Sequence, residues 1–293
     1  MTPEAILAEP PLRLTQVQRE RYFEDGFLTV PDATPPAMLA RIREMSALYL
    51  EKSRAVTESN DIFDLGPEHS AESPHVRRLR RPVDVDPFFW EVATDPFLLD
   101  IAADLVGPSV KFHSAKLNYK WPGQGEIVKW HQDCTSWPHT NYALVTLGVY
   151  LNDVAEADGP LACVTGSHKR QLYSHYGDGK WRGALSDADA AAAGVANAAN
   201  LTGSAGSVVA LDCRVIHGSP PNRTDKVRPL LLFVYTAADA FAWHPAPTPT
   251  RHTGELIRGA PAQFPHLDPR PCEVPPDWLR VGYGSIFSAQ NKM

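Results

Sequence analysis

Two stretches of this chain would be apolar on both faces if they formed strands. Ala143 to Val154 (ALVTLGVYLNDV) is rich in β-branched residues, and Pro229 to Tyr235 (PLLLFVY) is nearly as apolar. Side chains on a strand alternate between faces, so such segments belong in a sheet covered above and below. Val110 to Lys120, Ile127 to Asp133, Leu161 to Val164, Ser207 to Leu211 and Arg214 to Ile216 also read as strands, with turn signals such as Asp158-Gly159-Pro160 between them. Helical signals come earlier. Thr15 caps a helix over Gln16 to Asp25 that Gly26 ends, and Pro35-Pro36 opens a helix to about Lys52 with one-sided apolar spacing. Pro87 and Pro96 open two more, the second ended by Gly107-Pro108. The pattern predicts a mainly β fold with α, a jelly-roll-like double sheet with N-terminal helices packed on one side.

No internal repeat or low-complexity linker divides the chain, so residues 1–293 are expected to form one domain. Its parts are a helical layer over about 15–107, a jelly-roll core over about 110–240 and a Pro-rich C-terminal arm, 241–293. Residues 1–14 read as an irregular arm and 53–75 as a polar flap. Residues 170–200 read as an insertion with a helical piece from Asp187 to Ala199. For the Pro-rich ends, composition fits either ordered arms or mobile ones.

The net charge of −6 gives no electrostatic footprint for nucleic acid, and no apolar run is long enough to suggest a membrane span. Four widely spaced cysteines without a CxxC pair indicate neither a zinc knuckle nor a disulfide framework. These features predict a cytoplasmic protein, monomer or homodimer, with a small-molecule partner.

The chemistry concentrates in Val128-Lys129-Trp130-His131-Gln132-Asp133. On a strand His131 and Asp133 point the same way, and an imidazole beside a carboxylate is part of the two-His-one-carboxylate arrangement that leaves three iron positions open. His217, in Val215-Ile216-His217-Gly218-Ser219-Pro220-Pro221-Asn222, is the natural third ligand. Arg228 then opens the apolar strand. A buried guanidinium requires an anionic partner, which is either a structural carboxylate or a bound one, and Ser219 could donate to the same carboxylate.

The WHQD, GPL and GSHK segments and HGSPPNRTDKVRP together resemble the phytanoyl-CoA dioxygenase family, which includes ectoine hydroxylase-type enzymes. The resemblance covers roughly residues 15–240 and is densest from Phe112 to Tyr235. It implies a double-stranded β-helix (jelly roll, cupin-like) and a non-haem Fe(II) oxygenase that uses 2-oxoglutarate and O2, with ascorbate as a stimulant. An unactivated C–H of a small metabolite or natural-product intermediate would be hydroxylated, with release of succinate and CO2. His131, Asp133 and His217 match the family's metal ligands. Arg228 and Ser219 match its contacts to the distal carboxylate of 2-oxoglutarate, and Asn118 matches a further polar cosubstrate contact. A position that several members fill with tryptophan is Gly148 or Val149 here. Halogenating relatives lack the carboxylate ligand, so Asp133 argues for hydroxylation or a related oxidation.

Substrate contacts are expected near the ligand strand, from Thr135, Trp137, His139, Asn141, Lys116, and Arg78 or Arg80. The basic candidates hint at an anionic substrate, although Arg78 and Arg80 read equally as a solvated basic edge. Two other readings stand beside this one. A cupin-type metalloenzyme without 2-oxoglutarate would not need Arg228 and Ser219. A non-catalytic ligand-binding member would keep only the pocket.

Overall fold

The two apolar segments lie side by side in the middle of a large antiparallel sheet. The structure, a computed structural model, describes residues 1–123, 127–283 and 285–291. Helices α1 (Pro3–Ala8) and α2 (Gln16–Asp25) lead to strand β1 (Phe27–Val30). Helix α3 (Pro36–Lys52), β2 (Phe63–Leu65), β3 (Val76–Arg80), α4 (Pro82–Val85), α5 (Pro87–Thr94) and α6 (Pro96–Val106) follow. The strand-rich part runs β4 (Val110–Lys120), β5 (Val128–His131), β6 (Leu144–Tyr150) and β7 (Leu161–Cys163), then the hairpin β8 (Tyr176–Gly177) and β9 (Lys180–Trp181). After α7 (Asp187–Ala193) come β10 (Ala199–Leu201), β11 (Val208–Asp212), β12 (His217–Ser219), β13 (Arg228–Ala237) and β14 (Leu256–Arg258), with α8 (Trp278–Val281) and α9 (Ile286–Asn291) in the C-terminal arm.

The large sheet has the order β1-β11-β6-β13-β4-β3-β2, with β14 also on β4, and a smaller sheet has the order β10-β7-β12-β5. Alternation along β6 and β13 explains why both look apolar. Leu147, Val149, Leu231 and Phe233 join Phe89, Leu98 and Ile101 of the helices in one core. Tyr150, Leu230 and Leu232 join Leu161, Cys163 and Leu201 of the smaller sheet in another. One sheet thus separates a helix-facing core from an inter-sheet core, each buried large apolar side chain contributing about 1.5–3 kcal/mol. This is the expected jelly roll with helices on one side.

The α2 boundaries follow from chemistry at its ends. Thr15 Oγ1 accepts from the Gln18 amide at 3.2 Å and Gln18 Oε1 accepts from the Thr15 amide at 2.8 Å, a reciprocal capping box. Gly26 ends the helix at φ 89°, and a Cβ there would stand 2.4 Å from His168 Nδ1, so conformation and space both require glycine.

Several expectations are corrected. Residues 1–14 hold α1, and a buried carboxylate organises the last three of them. Asp104 of α6 accepts from the amides of Leu12 (2.9 Å), Arg13 (2.8 Å) and Leu14 (2.8 Å). Arg19, 1% exposed, donates to the Asp104 carbonyl and to Glu9 O. Residues 53–75 contain β2 rather than only irregular chain. The alanine-rich helix stops at Ala193. Arg214–Ile216 is a turn, closed by the Val215 amide on Asp212 O, and the strand begins at His217. The C-terminal arm is ordered: β14 pairs with β4, Trp90 stacks on His252 at 3.7 Å, and Trp278 Nε1 donates to Ser136 O at 2.9 Å.

Removing the Asp104 carboxylate would leave the buried Leu14 amide and the part-buried Leu12 and Arg13 amides without acceptors beside a buried guanidinium. Asp104→Ala is expected to cost about 3 kcal/mol of stability, read as a lower midpoint in urea unfolding; a loss under ~0.5 kcal/mol would show that the contact is not an anchor.

Candidate active site

Strand β12 lies between β7 and β5 in the smaller sheet, and its register makes His217 the direct cross-strand partner of His131. Their rings are 4.1 Å apart. Each imidazole is oriented from behind. His131 Nδ1 lies 2.8 Å from Lys129 O and His217 Nδ1 lies 3.0 Å from Val215 O. A carbonyl can only accept, so both Nδ1 atoms carry the proton and both Nε2 atoms keep a free lone pair. Those Nε2 atoms face Asp133, at 3.6 Å from Oδ1 for His131 and 4.0 Å from Oδ2 for His217. One ligating atom from each of the three lies within 4.8 Å of the others, the one such His/Cys/Asp/Glu cluster among the described residues.

Asp133 reaches this point differently from the expectation of a continuous strand. β5 ends at His131, and Asp133 opens a single 3₁₀ turn, Asp133–Thr135. Gln132 makes the transition rigid. Its side chain donates to Arg214 O at 2.8 Å and accepts from the Tyr173 amide at 2.9 Å, while its own amide donates to His175 Nε2 at 3.0 Å. Thr146 Oγ1 of β6 is 3.4 Å from Asp133 Oδ2. Burial works against the Asp133 carboxylate, but the His131 contact, Lys116 and His217 outweigh it and hold the group well below the usual range. Burial, with His131 alongside, lowers His217 to about 4. An ionised carboxylate and two neutral imidazoles are the donor set a divalent metal requires.

Arg228 is buried at 5% exposure on the inter-sheet face of β13, and its Nε and Nη1 have no hydrogen-bond acceptor. Its cross-strand partner is Lys120, itself buried. Lys120 Nζ donates to Ser219 Oγ at 2.6 Å, and Ser219 Oγ donates to Gly159 O at 2.9 Å. The Ser219 hydroxyl proton is therefore committed to a backbone carbonyl. Ser219 lies two residues beyond His217, roughly 7 Å along a strand, so β12 links the triad to the Arg228 end. Asn118 Oδ1 accepts from Arg78 Nε at 2.8 Å. Gly148 takes the inward position of β6, where a Cβ would meet Val209 and Leu232 at 2.9 and 3.0 Å; Val149 faces the helices.

A cavity of about 50 Å³ opens beside the triad, lined by His131, Asp133, Arg78, Arg80, Lys116 and Trp137 among others, with Tyr283 and Ile286 from the C-terminal arm. Arg78 and Arg80 thus face inward rather than forming a solvated edge. Three expected substrate contacts are placed elsewhere. Thr135 Oγ1 is used on Gln132 O. Asn141 binds Asp239 O and His266 O and lines a larger outer groove of about 600 Å³ that does not include the triad. His139 lines a third cavity. All three lie in the loop after the ligand strand, where proximity in sequence does not carry over to the cavity. Lys120, Gln132, His175, Tyr283 and Ile286 were not singled out from the sequence. Only Lys120 had a local signal, as the last of the polar residues 114, 116, 118 and 120 on one face of β4.

A jelly roll carrying two histidines and one carboxylate on one inner face defines the class of non-haem metal oxygenases. Sequence comparison agrees. The profile of the phytanoyl-CoA dioxygenase (PhyH) family matches residues 22–230. The chain is 27% identical over 279 residues to a probable alpha-ketoglutarate-dependent hypophosphite dioxygenase of Stutzerimonas stutzeri, covering 94% of this chain and 97% of the other. It is 28% identical to an ectoine dioxygenase of Bordetella parapertussis, covering 77% and 76%. The fold matches the crystal structure of EctD from S. alaskensis with 2-oxoglutarate and 5-hydroxyectoine at a TM-score of 0.70, with 23% identity over 88% of this chain and 89% of the other. The chain belongs to the phytanoyl-CoA dioxygenase family. It is an iron(II)- and 2-oxoglutarate-dependent dioxygenase acting on a small molecule.

The His175 ring that holds Gln132 must stay neutral, and burial lowers it from 6.5 to about 3. An unfolded chain takes up this proton near pH 6.5 and the folded chain only near pH 3, so stability falls as pH drops through that window, by at most ~1.4 kcal/mol per unit. Urea unfolding at pH 7, 6 and 5 should show this decline, with a shallower slope in His175→Gln. Equal slopes in the two proteins would contradict the assignment.

Proposed function

We propose that His131, Asp133 and His217 hold the iron and that Arg228 grips the distal carboxylate of 2-oxoglutarate. The observation that carries this reading is the unpartnered guanidinium. A buried cation with two donors unsatisfied is costly in an otherwise complete protein, and a bound carboxylate would supply the missing negative charge and an acceptor. Burial lowers the Arg228 guanidinium, with Tyr150 and Asp158 opposing, which is the electrostatic strain that an anion relieves. Lys120 supports the same end of the site from across the strand pair and holds Ser219 in place.

Iron(II) with 2-oxoglutarate and O2 supplies oxidation of a substrate C–H, with release of succinate and CO2. The chain's own residues do the rest. Lys129 O and Val215 O fix the two imidazoles, and Gln132 fixes the turn that presents Asp133. Leu230 and Leu232 put apolar side chains beside Arg228 on the inter-sheet face of β13. Asn118 Oδ1 accepts from Arg78 Nε, which leaves its amide NH2 to donate to the cosubstrate. The shared cores of helices and sheets support reading residues 1–293 as one oxygenase domain, and four free cysteines support a reducing, cytoplasmic setting. No helix among the described residues is long and apolar enough to cross a membrane.

Arg228→Gln should raise the KM for 2-oxoglutarate about thirtyfold, equivalent to ~2 kcal/mol for a charge-assisted contact, with iron affinity changed less than threefold. Asp133→Ala should abolish substrate-dependent succinate release. Steady-state kinetics and the visible band that forms when 2-oxoglutarate joins the iron protein check both. An unchanged KM in Arg228→Gln would favour a cupin-type enzyme that does not use this cosubstrate.

A further inference from the structure

The charged residues around the cavity beside the triad are strongly unbalanced. Arg78, Arg80, Arg81 and Lys116 line it, against the single carboxylate of Asp133, which the metal would use. Strand register sets Arg80 directly opposite Lys116, and like charges in that position repel. The further acids nearby are Asp64, 3.9 Å from Arg80, and Asp61, 3.7 Å from Arg81. Two donors in the same wall are buried without an acceptor, Arg80 Nε and Trp137 Nε1. The Lys116 ammonium makes no hydrogen bond among the described residues and lies 5.8 Å above the Trp137 ring. Burial lowers both Arg78 and Lys116 from their ordinary values. A divalent metal would make the chamber more positive still. Cations and donors arranged in this way lack an anion.

Size narrows the choice. At about 50 Å³ the cavity is several times smaller than the ~300–1,000 Å³ of ordinary small-molecule sites. Trp137 walls it, and Tyr283 and Ile286 of the C-terminal arm border it.

We propose that the substrate is a compact oxyanion with an oxidisable C–H, a short phosphonate or carboxylate, held by Arg80, Lys116 and the Trp137 N–H. This rests on the reading of the metal and 2-oxoglutarate sites above. Each turnover then places one oxygen atom of O2 in the substrate C–OH and the other in succinate. 2-Oxoglutarate supplies the two electrons as it loses CO2. Arg78, tied to Asn118, stands behind the pair as a positioning residue.

Calorimetry on protein saturated with Mn(II) and 2-oxoglutarate tests the site, because the cosubstrate then already occupies Arg228. Methylphosphonate and propionate are titrated separately, which distinguishes the phosphorus from the carboxylate form. At least one is expected to bind with a Kd below 1 mM, at least tenfold more weakly in Lys116→Gln and in Arg80→Gln. With Fe(II), ascorbate and O2, that compound should raise succinate release at least tenfold over the substrate-free background. Lys116→Gln should melt at or above the wild-type temperature, since it relieves a like-charge pair, whereas Arg80→Gln also gives up the Asp64 contact and should melt within a few degrees of wild type. Equal binding in wild type and variants overturns the proposal, as does absence of binding by either anion. So does a melting temperature lowered by several degrees in both variants without a change in anion affinity, which would make the cations structural. Failure of the underlying reading looks different: 2-oxoglutarate itself gives no binding heat and no background succinate forms.

Discussion

The antiparallel pairing of β12 with β5 is the contact on which the site depends. Adjacent strands lie about 4.8 Å apart, and His217 opposite His131 brings two imidazoles from distant parts of the chain to 4.1 Å. β12 has three residues, so little besides its neighbours sets its register. A one-residue slip would turn His217 to the other face. The restraints are on both flanks: His217 also pairs with Cys163 of β7, and the Ile216 amide donates to Ser167 Oγ. The same short strand carries Ser219 to Lys120 and so fixes the Arg228 end relative to the triad.

The large sheet treats its two faces unequally, and function lives in that difference. On β4, Ala115, Leu117 and Tyr119 face the helices, while Ser114, Lys116, Asn118 and Lys120 face the smaller sheet. β3 adds Arg78 and Arg80 to the second face, and β13 adds Arg228. A polar stripe on a strand normally meets water. Here it faces the smaller sheet and continues on the same face of the large sheet into Leu230, Leu232 and Val209. Low dielectric strengthens each cation's field there, so an anion entering this space is oriented strongly and a neutral molecule is not.

What was legible in the chain was local. Thr15 with Gln18, Gly26, the proline-opened helices and the doubly apolar strands each carry their instructions within a few residues, and they fall where expected. The triad was legible because its chemistry restricts residue type so narrowly. Non-local decisions were not. Asp104 organises residues 12–14 from about ninety positions away, and nothing near Leu12 announces it. The polar stripe of β4 gave no sign of which side water lay on, which depends on the smaller sheet. Thr135 and Asn141 were placed by nearness to His131, but in the loop after the 3₁₀ turn only Ser136 and Trp137 reach the cavity, while Thr135 and Asn141 spend their side chains on backbone groups.

The C-terminal arm shows how reaction and selection are divided along the chain. The first part of the arm is held by backbone pairing of β14 with β4, and its last part by side chains. Trp278 Nε1 binds Ser136 O just past Asp133, and the Gln290 side chain accepts from the Lys129 amide on β5 and donates to Gly183 O. The arm is thus anchored to the segments that carry two of the three metal-site residues, and Pro247, Thr248, Tyr283 and Ile286 help bound the cavity. The family match ends at residue 230, before any of these four, yet includes His131, Asp133, His217 and Arg228. The residues proposed to hold the metal and the cosubstrate therefore lie within the part shared across the family. Part of the wall of the cavity beside them lies outside it, so family membership settles the class of reaction, while the shape of that cavity belongs to this chain.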